Sequence, residues 1–92
     1  GDYNCAFGKA TLYTNTTGNN NTAFGAGALF TNNANDNVAI GYDAGKAITT
    51  GTQCVAIGKD ALLVSTSSNS NTAIGYYMLC LIFLVDSVHL FR

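Results

Sequence analysis

Asn37-Val38-Ala39-Ile40-Gly41 is answered seventeen residues later by Cys54-Val55-Ala56-Ile57-Gly58. The same phrase recurs on either side, as Asn71-Thr72-Ala73-Ile74-Gly75, Asn21-Thr22-Ala23-Phe24-Gly25 and Asn4-Cys5-Ala6-Phe7-Gly8. The five Ala are spaced by 17, 16, 17 and 17 residues. A period this short is too small to be a domain and marks a solenoid, one turn of chain stacked on the next. The spacing predicts an all-β fold: a parallel β-solenoid, or β-roll, of about five coils of 16–17 residues over 4–79, followed by an apolar C-terminal tail over 80–92.

Alternation assigns the faces of the repeated strand. Side chains flip at every residue, so Val38 and Ile40 share one face with Val55 and Ile57 in the next coil, while Ala39 and Ala56 share the other. The expectation is that the bulky pair fills the inside and that Ala faces a close neighbour outside. Gly8, Gly25, Gly41, Gly58 and Gly75 suit a sharp bend or a close backbone approach. A second short strand is expected over the Ala-Leu segments, such as Ala28-Leu29 and Ala61-Leu62, and the Asn/Thr/Gly stretches close each coil as turns. A helix is excluded by the recurring Gly and by the lack of apolar residues at three-and-four spacing. The second unit is one residue short, and the loss falls in Thr31–Asp36, where a turn absorbs it without flipping a strand.

Composition narrows the function. Of 92 residues only nine carry formal charge, with a net of −1, so no basic stripe exists for nucleic acid. Hydrophobic residues reach 48%, but many are Ala, and one coil cannot bury a core alone, so stability must come from neighbouring coils or chains. Gly1 rather than Met at the start suggests a piece of something longer. Cys5 and Cys54 fall in different phases three coils apart, about 14 Å at the usual strand spacing, which is too far for a bridge. With Cys80 they are expected to be free thiols acting as small apolar residues.

The Asn column (Asn4, Asn21, Asn37, Asn71) is expected to stack as an amide ladder, each side chain bonded to the copies above and below; the alternative is that each Asn only supplies a turn conformation. Asn15 and Asn20 carry the N-glycosylation pattern, which arises easily in a chain this rich in Asn and Thr. Gly41–Ala47 lacks the spacing and the Ser or Thr of a phosphate loop. Asn33–Asn37 has one carboxylate, too little for a firm calcium site, and reads as a solvated turn. Thr14 and Thr31 align, but Ala47 and Val64 break the column that ice binding would need. His89 is the only His, and the Asp residues share no phase, so no metal, cofactor or catalytic set is expected. Tyr76–Val85 is ten apolar residues, too short to cross a bilayer, and reads as either a helix capping the last coil or a foreign extension.

The phrases Asn37–Gly41, Val55–Gly58 and Asn71–Gly75 resemble the head repeats of YadA-like trimeric autotransporter adhesins. With the following Ala-Leu and Asn15-Thr16-Thr17-Gly18 they are also similar to phage-type tail-fibre repeats. The resemblance covers about residues 4–79. It implies a left-handed β-roll, three chains about a common axis, and an extracellular place on a bacterial surface or virion. The unit here is longer than in YadA-like heads and their recurring Ser is not kept, so collagen or matrix binding is not carried over. The function expected is a structural and adhesive fibre segment with no enzymatic role, a homotrimer meeting a host-surface or glycan receptor through multivalent contacts. The alternative is a non-adhesive spacer or a self-assembling filament subunit.

Overall fold

The computed structural model describes residues 1–62, 69–77 and 89–91, and the side chains of Leu90 and Phe91 lie outside that set. Its strands are β1 (Cys5–Phe7), β2 (Thr22–Phe24), β3 (Val38–Ile40), β4 (Val55–Ile57), β5 (Thr72–Ile74) and β6 (His89–Phe91). They form one parallel sheet in chain order, β1-β2-β3-β4-β5-β6. Register is perfect across the repeat: Ala6, Ala23, Ala39, Ala56 and Ala73 pair in succession. The molecule is a β-solenoid, with about four turns from β1 to β5.

β6 keeps the same register, pairing Thr72 with His89, Ala73 with Leu90 and Ile74 with Phe91. The period therefore holds at the end of the chain although His-Leu-Phe replaces Thr-Ala-Ile. Residues 78–88, which include most of the apolar tail and Cys80, lie outside the described residues, and with them the question of a capping helix.

The faces of the strand are the reverse of the expected ones. Ala23, Ala39, Ala56 and Ala73 are fully buried, whereas Phe7, Phe24 and Ile40 are exposed and Val38, Val55 and Ile57 only half-buried. The cause is the narrowness of the coil. Opposite the sheet lies a second wall that contributes Ala28, Ala44, Ala61, Leu29 and Leu62 to the same core. A Cβ added at Gly45 on that wall would stand 3.5 Å from the Ala39 methyl. Alanine is the size that this gap admits, and Val or Ile in its place would overfill it.

No strand forms over the Ala-Leu segments among the described residues. The chain there runs through consecutive tight turns, as in Ala28 N–H to Gly25 C=O (3.2 Å) and Asn32 N–H to Leu29 C=O (3.2 Å). Two left-handed residues set two positions apart prevent an extended path: Ala10 and Leu12, Gly27 and Leu29, Asp43 and Gly45, Asp60 and Leu62, all with φ between 48° and 74°. For a residue with a Cβ this conformation costs about 1–2 kcal/mol. Full burial of a leucine side chain contributes about 1.5–3 kcal/mol, so Leu29 and Leu62 hold the strained backbone by what they bury.

Coil-to-coil hydrogen bonds continue through these turns. The N–H of Leu12 reaches the Ala28 carbonyl and that of Leu29 the Ala44 carbonyl (3.0 Å each), and the Asp43 N–H reaches the Ala26 carbonyl (2.9 Å). The sheet turns away at Gly41, whose φ of 128° and a virtual Cβ only 2.8 Å from the Gly58 backbone leave room for glycine alone.

Candidate functional site

Two surfaces stand out once the coil is closed, and the first is the outward face of the sheet. Cys5, Thr22, Val38, Val55 and Thr72 form one row, and Phe7, Phe24, Ile40, Ile57 and Ile74 the other. Both are held in register by the backbone ladder. Phe7 stacks on Phe24 with centroids 4.7 Å apart and rings 6° from parallel. Phe7 is 65% exposed, Phe24 51% and Ile40 40%, so the described residues leave an apolar stripe uncovered.

The second surface is the corner after the sheet, where side chains from successive coils stack. Tyr13 lies on Phe30 (5.0 Å, 5°), and the Lys46 ammonium sits 5.7 Å from the other ring, Phe30. Lys59 lies between Tyr42 and Tyr76, 6.0 and 5.4 Å from their centroids. Two ion pairs tie the lysines down, Lys46 to Asp43 (3.7 Å) and Lys59 to Asp60 (3.8 Å). Both lysine ends are half in water, so the pairs fix geometry more than they stabilise. A groove of about 290 Å³ opens in this corner, lined by Lys9, Ala26, Gly27, Tyr42, Asp43 and Lys46 among others.

The Asn column is a ladder of a different chemistry from the amide stack expected. In Asn4, Asn21 and Asn37 the side-chain oxygen accepts from the backbone of the next coil: Asn21 N–H to Asn4 Oδ1 (2.9 Å), Asn37 N–H to Asn21 Oδ1 (2.9 Å), Cys54 N–H to Asn37 Oδ1 (2.8 Å). In these three residues the amide nitrogen donates back into its own coil, Asn4 to Gly18 C=O, Asn21 to Ala34 C=O and Asn37 to Gly51 C=O, at 2.7–2.8 Å. One side chain thus closes a coil and links it to the next. Asn21, Asn37 and Asn71 are fully buried, and in the first two every bond named offsets the desolvation of a polar group.

Asn15, half-buried, is engaged in its own turn, donating to Gly18 C=O (3.2 Å) and accepting from Gly18 N–H (3.0 Å). Asn20 is exposed with φ of 58° and donates to Asp36 Oδ1 (3.1 Å). In the oxygen-rich turn, Asn35 Oδ1 takes the Asn19 N–H (2.7 Å), and Asn37 points into the core. Cys5 is exposed on the outer row and Cys54 buried, neither of them bridged. His89 is exposed on β6.

The missing residue of the second coil is absorbed at Asn33. Its side-chain oxygen accepts from the backbone of both Thr16 (2.7 Å) and Thr17 (3.4 Å), so one residue faces two. The deletion therefore stays within the polar turn, as its position in the sequence implies.

The outward stripe and the stacked lysines escaped the sequence-based expectations, though both have a signal. Position three of the repeat is Ala in every copy, while position two admits Thr and Cys; the invariant small residue, not the bulkier one, marks the packed side. In the corner, Lys9, Ala26, Tyr42, Lys59 and Tyr76 share one phase, a column of rings and cations broken at Ala26 and visible only after alignment by coil. No family model, curated protein or solved structure matches the chain.

Proposed function

We propose that the chain is a structural and adhesive fibre segment that works as a homotrimer, its rolls packed through the outward stripe of the sheet. The observation that supports this is the in-register row Phe7, Phe24 and Ile40, exposed in one chain with only half-buried apolar neighbours. Burial of such a row against copies of itself removes apolar surface from water, and closed symmetry gives every copy the same cover. The resemblance to YadA-like heads and tail-fibre repeats favours three copies and an extracellular setting. Adhesion is then geometric: polar turns such as Thr14–Asn20 and Thr31–Asp36 repeat once per coil and once per chain, and weak contacts to a receptor add through multivalency.

Light scattering coupled to size exclusion tests the assembly. The expected outcome is a particle of three times the 9.6 kDa chain mass, unchanged on dilution across the working range. A mass that grows with concentration favours the filament alternative, and a monomer refutes the packed stripe.

A further inference from the structure

In the two columns of the corner, rings and ammonium groups follow one another from coil to coil, with a single gap among the described residues. Tyr13 covers Phe30 and Lys46 approaches its ring, and Lys59 lies between Tyr42 and Tyr76. The column Lys9, Ala26, Tyr42, Lys59, Tyr76 lacks a large side chain at Ala26. Lys59 approaches Tyr42 from the following coil, and on the side of Ala26 the groove is open. At ring spacings of 4.7–5.0 Å per coil, the gap between Tyr42 and Lys9 spans two coils, which is the room one six-membered ring needs when stacked on Tyr42.

We propose that this slot binds a single carboxylated pyranose, a uronic-acid type unit of an acidic glycan. The ring's C–H face would lie on Tyr42 with Ala26 and Gly27 as the back wall. Asp43 and Lys46, held together at 3.7 Å, stand at the side as acceptor and donor for ring hydroxyls. Gly27 makes this possible, because Asp43 Oδ1 occupies the space that a Cβ there would fill. Lys9, above the gap, has no carboxylate partner among the described residues, and its ammonium matches the sugar's carboxylate. An aromatic acid would offer the same charge but no hydroxyls for Asp43. The proposal deepens the adhesive function above by naming a ligand class, and it rests on that function only for its biological sense.

The test is a titration of the full ¹⁵N-labelled chain with methyl β-glucuronide, with methyl glucoside and benzoate as comparators, followed by amide shifts. The expected result is saturable shifts at Ala26, Gly27, Tyr42 and Asp43 at millimolar glucuronide, with affinity for the uncharged glucoside about tenfold lower. Ala26→Tyr, which restores the ring at the empty rung, should remove those shifts while leaving the rest of the spectrum in place, and Lys9→Gln should erase the preference for the charged sugar. No shifts at tens of millimolar, shifts elsewhere, equal binding of benzoate, or binding retained in Ala26→Tyr would each overturn the slot. Solution mass measured on the same sample separates the two ideas: a closed trimer without binding removes the slot alone, whereas binding by a monomer removes the trimer alone.

Discussion

Gly45 and Ile48 are the two positions of the third coil that depart together from the pattern of the first two, and exchanging both should cost far less than exchanging either. Where the other described coils have Leu12, Leu29 and Leu62, this coil has Gly45 at φ of 61°; where the first two have Asn15 and Asn32, it has Ile48, 1% exposed. Ile48 fills the volume that a leucine at 45 would take, since a Cβ at Gly45 would lie 3.1 Å from Ile48 Cδ1 and 3.0 Å from Leu29 Cδ2. Gly45→Leu alone overpacks the coil and should destabilise it by about 2–4 kcal/mol, combining crowding with a left-handed leucine. Ile48→Asn alone leaves a void beside a glycine. It should cost about 2–3 kcal/mol after the new amide gains a bond to Gly51 C=O, as Asn15 makes to Gly18 C=O. The double variant rebuilds the arrangement of the first two coils, Leu inside and Asn on the turn, and should fall within about 1 kcal/mol of the parent. Urea unfolding followed by circular dichroism at one protein concentration gives the cycle. The coupling expected is at least about 2 kcal/mol, and losses that add to within about 0.5 kcal/mol would refute the claim that the two residues share one volume.

Other perturbations probe other links. Asn37→Ala deprives the Cys54 N–H and the Gly51 carbonyl of their partners and should cost about 3 kcal/mol, with faster hydrogen exchange at the Cys54 amide by NMR. Gly41→Ala puts a methyl 2.8 Å from the Gly58 backbone at φ of 128° and should lower stability by at least about 3 kcal/mol in the same urea assay; a neutral result would mean the coils are not stacked this closely. Phe24→Asp places a charge on the outward stripe without touching the core, so the proposed trimer should give way to monomer by light scattering while the circular dichroism spectrum is kept.

Periodicity carried the architecture, because a repeat of fixed length can only be satisfied by equivalent coils, and Ala39 above Ala56 is readable from spacing alone. The inside and outside of the strand were not readable from hydrophobicity, which ranks Val38 and Ile40 above Ala39. What decides is the gap between the sheet and the wall bearing Leu29 and Leu62, a distance set by turns whose left-handed residues, Leu12, Leu29 and Leu62 among them, are not types that announce such a conformation. The Asn column was visible as a column, but its bonds were not. A side chain that accepts from the next coil and donates within its own looks, in sequence, identical to an amide stack. The open rung at Ala26 required both facts at once, the phase of the column and its outward direction.

Asn33 carries a consequence for how such a chain can change. Because one amide oxygen serves two successive peptide groups, a coil can lose a residue without passing any shift to its neighbours. Segments of slightly unequal length can then be duplicated, traded or spliced along the solenoid, each edit healing within its own loop. The rod can be lengthened by copying, and its loops altered one at a time, while the ladder that holds it together never loses step.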